Sequence, residues 1–257
     1  MTGASSGIGA ALARKFATRS DQLVLVARTE TALTSLLNQL PGSGHELLVA
    51  DLMNAADLER VCERLRASDA ARAVDVLVHS AGIGLPPGGY LGNDVEASQA
   101  MNVLSIDALT KLAHAALPGM LERDRGGLLT VASIAGFLPG TPAITYSASK
   151  AWAQTFGEGI NYLTRQTGVT STVVAPGFVR SGFHERAGLG ASGIHEVMWC
   201  TAEQVAAAAV RGFDRGRALV VPGGVWKTVY AVYRLTPRSW SRAWFAKYMA
   251  WTARRTA

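Results

Sequence analysis

The chain has 257 residues, 49% apolar and 17% charged, which suits one sizeable hydrophobic core and excludes global disorder. No apolar run is long enough to span a bilayer, no secretory leader pattern opens the chain, and Cys62 and Cys200 show no metal or redox spacing, as expected of reduced thiols in a cytoplasmic protein. The net charge of +6 is uneven: Asp214 is the last acidic residue and residues 215–257 carry nine Lys/Arg, so a slightly acidic body precedes a basic tail.

In chain order, the glycine-rich stretch TGASSGIG (2–9) runs into a helical pattern, AALARKFA. QLVLVAR (22–28) reads as a strand and TETALTSLLNQL (29–40) as a helix. HELLVADL (45–52) is a strand, and NAADLERVCERLRAS (54–68) a helix with Asn54 as cap. VDVLVHSAG (74–82) is a strand running into a turn. A long helix covers 94–123, GLLTVAS (127–133) is a strand, and 145–166 is a helix. TSTVVAP (170–176) is a strand ended by proline, TAEQVAAAAVRGF (201–213) a helix with Thr201 as cap, and ALVVP (218–222) a final strand. Short Val/Leu/Ile runs alternating with helices imply a doubly wound α/β fold of Rossmann type, its parallel sheet covered on both faces. Ligands are expected at the carboxyl ends of the strands. Residues 1–223 read as one dinucleotide-binding and catalytic domain, with a substrate loop at about 178–200, and 224–257 as a basic, aromatic helical tail.

Glycines at 3, 7 and 9 suit a turn whose backbone approaches a diphosphate at a helix N-terminus, where free N–H groups and the dipole favour anions. The spacing is G-x-x-x-G-x-G rather than the commoner G-x-G-x-x-G, and an ordinary flexible turn is the competing reading. Tyr146 and Lys150 are four residues apart in ITYSASKAW and share a helix face. A cation beside a phenol is expected to lower the phenol pKa and ready it for proton exchange. A solvated Tyr–Lys pair is the plain alternative. Ser133 ends a strand thirteen residues before Tyr146, where its hydroxyl could bond a substrate oxygen or cap a turn.

Taken together, TGASSGIG, Asp51 in ADL, SAG at 80–82, Asn102 in MNV, Ser133, Tyr146-x-x-x-Lys150 and PGFVRS at 176–181 resemble the classical short-chain dehydrogenase/reductase family. The resemblance covers nearly the whole chain. It implies an oxidoreductase that interconverts a hydrophobic ketone or aldehyde and its alcohol, with the hydride carried by a nicotinamide. Tyr146 would be general acid or base, Lys150 would lower its pKa and hold the ribose, and Ser133 would polarise the substrate oxygen. Asn102 would hold a water relaying protons to Lys150; by itself it reads only as a polar residue in a long helix. The implied cofactor site is Gly3, Ser5, Ser6, Gly7, Ile8 and Gly9 at the diphosphate, with Asp51 and Leu52 at the adenine. It continues through Ser80, Ala81 and Gly82, then Tyr146 and Lys150, and ends at Pro176, Gly177 and Val179. The bland readings are a cap for Asp51 and a strand terminator for Pro176–Gly177. Arg28, at the end of the second strand of the family's sheet, suits the 2′-phosphate of NADP, and Glu30 beside it keeps NAD open. The family implies a homodimer or homotetramer.

Three departures stand out. His79 and Ser80 replace the family's two asparagines, and a structural role for His79 is the expectation over a catalytic one. The 178–200 loop mixes apolar residues and glycines, as a mobile lid or a plain surface loop would; His184 and His195 are too isolated there to be ligands. A buried strand is expected ahead of TGASSGIG, and Met1 alone cannot supply it. The expectation is that the true start lies upstream, the alternative being a short and inactive form. In the tail, Trp226, Tyr230 and Tyr233 make one stripe, and Trp240, Trp244, Tyr248 and Trp251 a second beyond Pro237. Docking on the body or a second subunit is the leading expectation, peripheral contact with an anionic membrane the next; nucleic acid has no supporting motif. A non-catalytic nicotinamide- or partner-binding module on the same fold is the rival to the enzyme. An epimerase or dehydratase relative would carry an added substrate region that is not evident.

Overall fold

A computed structural model describes residues 1–19, 22–69, 72–84, 86–138, 143–183, 194–237 and 240. Alternating strands and helices build a parallel sheet. β1 (Val24–Ala27) pairs with β2 (Glu46–Val49). β3 (Val76–His79), β4 (Gly126–Val131), β5 (Val169–Val174) and β8 (Leu219–Val220) pair in that order. The two halves are joined by Thr2, which bridges Val26 on one side and His79 on the other, both in parallel sense. Thr2 N–H donates to Val78 O at 2.9 Å, Val26 N–H to Met1 O at 2.8 Å, and the Met1 amine to Val24 O at 2.7 Å. The central position assigned to a strand ahead of the glycine turn is therefore taken by Met1 and Thr2, in the order β2, β1, Met1–Thr2, β3, β4, β5, β8.

One face of the sheet is covered by α1 (Gly7–Ala17), α2 (Glu30–Leu37), α7 (Ala202–Phe213) and α8 (Gly224–Leu235), whose buried residues share a core with Leu25, Val78 and Leu129. The other carries α3 (Ala55–Leu65), α5 (Ala108–Glu122) and α6 (Ile144–Leu163), packed on Leu77, Leu128 and Val173. Central strands buried on both faces explain their unbroken Val/Leu runs. Asn54 Oδ1 accepts the Ala56 and Asp57 N–H groups, so it caps α3 as its position implies, a contribution of about 1 kcal/mol. Thr201 caps α7 in a reciprocal box with Gln204.

The helix expected over 94–123 runs as α4 (Val95–Asn102), a π-helical segment (Val103–Asp107) and α5. The i→i+5 bonding widens one turn without breaking the path. Two short strands, β6 (Phe178–Arg180) and β7 (Trp199–Thr201), pair in parallel at the base of the substrate loop. Residues 184–193, which hold His184 and most of that loop, lie outside the described residues. So does the second tail stripe apart from Trp240, which is exposed. No helix among the described residues is long and apolar enough to cross a membrane.

Candidate active site

The glycine turn leads from Thr2 into α1. Gly3 and Gly7 have φ of +63° and +55°, a region that side chains with a Cβ seldom adopt. A Cβ on Gly3 would sit 2.7 Å from the Ser80 carbonyl carbon and the Ala81 nitrogen, so this turn and the Ser80–Gly82 turn touch backbone to backbone. Thr2 Oγ1 ties them, accepting N–H bonds from Ser80 at 3.3 Å and Ala81 at 3.2 Å. Ser6 makes no side-chain cap to α1 and no acidic residue occupies its first turn. Ser5, Ser6 and Ile8 are half-buried around it. An uncapped, acid-free helix start behind a turn with no side chains in the way fits a diphosphate.

Past the end of β4, Ser133 caps a short 3-10 turn: its Oγ accepts the Ala135 N–H at 3.2 Å and donates to Pro176 O at 3.5 Å. The cap reading of Ser133 holds, and the same hydroxyl pulls the Tyr146 phenol pKa down. Lys150, 8% exposed, donates from Nζ to Val131 O at 3.2 Å, and Nζ lies 5.7 Å from the Tyr146 ring centroid. Burial lowers the Lys150 pKa to about 8. Tyr146 corrects the expectation of a lowered phenol pKa. Burial holds it above its ordinary value, and the group pulling it back down is Ser133, not Lys150. The ammonium donates to a strand carbonyl, and burial of the phenol decides the sign of its shift.

The Ser80–Gly82 turn borders this cluster: a Cβ on Gly82 would be 3.4 Å from Lys150 Nζ. Pro176 is buried and accepts the Ile134 N–H at 2.9 Å, which fixes it beside Ser133. Gly177 lies under the Trp226 indole, and a Cβ there would overlap the ring. Val179 is buried in β6 opposite Cys200. The Phe183 ring centroid is 5.9 Å from that of Tyr146 and gives the site an apolar side. At the far end, Arg28 is exposed just past β1. Asp51 Oδ1 accepts the Met53 N–H at 3.0 Å in a turn after β2, while Leu52 is buried. Asn102 is exposed and lines a groove between α4 and α6 with Val95, Ile144 and Trp152.

Gln154 and Ser181 escaped the sequence reading as contributors, and Trp226 was read only as part of a docking stripe. Gln154 is buried on α6 and donates from Nε2 to Ser133 O at 2.6 Å. Its place eight residues after Tyr146 and four after Lys150 puts it on the same helix face, a signal that was available. Ser181 packs against Gly7, 2.9 Å from where a Cβ would lie. Trp226, 5% exposed, donates from Nε1 to Met198 O at 2.8 Å and docks α8 on the Pro176–Gly177 turn, while Tyr230 and Tyr233 pack on Phe137.

The fold and site define a dinucleotide-binding α/β oxidoreductase. The family model for short chain dehydrogenase matches residues 1–189, and the chain belongs to that family. It is 33% identical over 180 residues to an uncharacterized oxidoreductase of Staphylococcus saprophyticus, covering 70% of this chain and 76% of that one. A short-chain dehydrogenase from Sphingobium yanoikuyae, solved in complex with NADPH, superimposes with a TM-score of 0.81 at 32% identity, covering 91% and 92% of the two chains. The bulky-bulky ketone specific alcohol dehydrogenase from Comamonas testosteroni gives a TM-score of 0.76 at 26% identity, covering 91% and 90%.

Proposed function

We propose that the protein is an NADP(H)-dependent reductase or dehydrogenase that interconverts a hydrophobic ketone or aldehyde and its alcohol. The observation that carries this reading is the convergence of Ser133, Tyr146 and Lys150 at the carboxyl end of the sheet, beside an uncapped glycine-rich helix start. The nicotinamide, when bound, supplies or accepts the hydride. Ser133 and Tyr146 hold the substrate oxygen by two hydroxyl hydrogen bonds. Tyr146 passes its proton to that oxygen in reduction and recovers it in oxidation. Lys150, charged below about pH 8, places a positive group within reach of the phenolate formed in that step and of the ribose hydroxyls.

Arg28 supports NADP over NAD, since an exposed guanidinium past β1 offers paired donors to a 2′-phosphate. The relative in complex with NADPH supports the same cofactor. Phe183 beside Tyr146, and the resemblance to an alcohol dehydrogenase specific for bulky ketones, support an apolar substrate. Exposed Val95 and Ile144 flanking the α4–α6 groove support a homo-oligomer formed through these helices.

The deciding experiment is Tyr146→Phe. Carbonyl reduction is expected to fall about 10²–10⁴-fold while NADPH still binds. Unchanged turnover would end the catalytic reading. NADPH binding by a wild-type protein that turns over no carbonyl would favour the non-catalytic module. Arg28→Ala is expected to weaken NADPH about 10–100-fold, from the loss of a charge-assisted pair, and to leave NADH unchanged. Equal losses for both cofactors would remove Arg28 from the phosphate site.

A further inference from the structure

His79 closes β3, is 2% exposed, and takes no part in the chemistry above. Its Nδ1 lies 3.1 Å from Thr2 Oγ1. That hydroxyl already accepts the Ser80 and Ala81 N–H groups. With both lone pairs engaged, its own proton has Nδ1 as acceptor, and a neutral ring accepting at Nδ1 carries its proton on Nε2. Burial, reinforced by the Lys150 ammonium and the Met1 amine, pushes the imidazole pKa down to about 3, so the ring is uncharged. Nε2 has no hydrogen-bond partner among the described residues.

Two hydroxyls nearby are in the same condition among the described residues: Thr130 Oγ1 and Ser105 Oγ. Thr130 is fully buried and is the register partner of His79 across β3 and β4. Leu77 and Leu128, each two residues earlier on its strand, both belong to the core under α3, α5 and α6. Strand alternation therefore turns His79 and Thr130 to that same face, side by side. Ser105 comes down on this face from the π-helical segment. It precedes Ala108, Leu109 and Leu112 on the buried stripe by which α5 packs against β3 and β4. A buried ring N–H and two buried hydroxyl oxygens are thus placed on the sheet face that α5 covers. Buried waters typically make about three hydrogen bonds to groups of this kind.

We propose that His79 Nε2, Thr130 Oγ1 and Ser105 Oγ enclose one buried water molecule, and that this water and Thr2 together make His79 a positioning residue for the Ser80–Gly82 turn. The water accepts the Nε2 proton and donates its own two to the hydroxyl oxygens. The ring is then held at both ends. Through Thr2 it stiffens the junction where the glycine turn meets the turn bordering Lys150. The link to cofactor rests on the reading that these turns line a nicotinamide dinucleotide; the water site does not.

The test begins on the full-length, cofactor-free protein with ring-15N-labelled histidine. The expected spectrum shows His79 as the neutral Nε2–H tautomer. Ser105→Ala and Thr130→Val, neither of which touches the cofactor turns, are each expected to shift the Nε2 resonance and leave Nδ1 accepting from Thr2. An Nδ1–H tautomer, an imidazolium, or a resonance indifferent to both variants would overturn the proposal. A high-resolution crystal structure must show a water within hydrogen-bond distance of all three atoms; a dry contact overturns the site. Thr130→Val is then expected to raise the NADPH dissociation constant about threefold to tenfold, the loss of one buried hydrogen bond. Unchanged NADPH affinity would remove the positioning role. A wild-type protein that does not bind NADPH would fail the cofactor reading while the spectra still decide the water.

Discussion

Lys150 and Gln154 stand one and two turns after Tyr146 on α6, and each reaches back to the strand-end segment that carries Ser133. Lys150 bonds the Val131 carbonyl at 3.2 Å and Gln154 the Ser133 carbonyl at 2.6 Å. The helix bearing the phenol is thereby pinned at two points to the segment bearing the serine hydroxyl. These bonds help set the gap between the two proton-handling hydroxyls. Gln154→Leu removes one pin and leaves the Ser133 carbonyl with the Gly136 N–H at 3.1 Å. The expected result is a fall in kcat of about tenfold with NADPH affinity unchanged, because the cofactor turns lie elsewhere. Gln154→Asn, one methylene short, should behave like Gln154→Leu. A rise in KM alone would place Gln154 in substrate binding instead. A uniform loss of kcat and NADPH affinity would mean that it serves only the fold.

At the scale of elements, α8 decides what the Pro176–Gly177 turn can be. The Trp226 indole lies on Gly177, stands 5.5 Å from the Phe178 ring and bonds the Met198 carbonyl, so one side chain joins the turn, β6 and the segment before β7. Trp226→Ala empties a buried aromatic site and is expected to cost about 3–5 kcal/mol, read as a shift of the urea midpoint. It should also raise the NADPH dissociation constant, since the turn loses its backing. Gly177→Ala forces a methyl into the indole and should damage cofactor binding more than stability. The docking stripe Trp226, Tyr230, Tyr233 was legible because its spacing is helical. Asn54 and Thr201 were legible because cap chemistry is local and written in one residue. The π-helical segment was not: widening one turn inside an apolar run changes no residue type and leaves the periodicity nearly intact. The pairing of β6 with β7 was not legible either, since three-residue strands are shorter than any period they could show. Tyr146, Lys150 and Ser133 could be read as a set because spacing places them on one helix face and one strand end. The sign of the phenol shift could not, because it is set by how deeply the ring is buried, which spacing does not show.

For the molecule as a whole, burial of His79, the Met1 amine and Lys150 makes stability depend on pH over three successive, overlapping windows. His79 has a pKa of about 3 when folded against 6.5 in the open chain, from burial first and then from the Lys150 and Met1 charges facing it. Between those values the unfolded chain binds the extra proton, so stability rises with pH from 3 to 6.5 and gains nothing more from His79 above. On folding the Met1 amine falls from 8.0 to about 5 and Lys150 from 10.5 to about 8, so between each pair of values the unfolded chain again holds the extra proton and stability keeps rising. Above pH 10 the raised Tyr146 acts in the opposite sense, because there the folded state keeps a proton that the open chain has lost. Each rise is at most about 1.4 kcal/mol per pH unit. Urea unfolding of the cofactor-free protein as a function of pH should therefore show an acid limb from His79, a continuing rise between about pH 5 and 8 from the Met1 amine, and an alkaline rise from Lys150. His79→Asn should flatten the acid limb and spare the rise. Lys150→Met should abolish the rise and, by removing a buried charge, stabilise the protein at neutral pH while ending turnover. An acid limb of unchanged slope in His79→Asn would mean that the ring is already charged in the fold. The hydrogen-bond chain from Thr2 through His79 would then have to be redrawn with the proton on Nδ1.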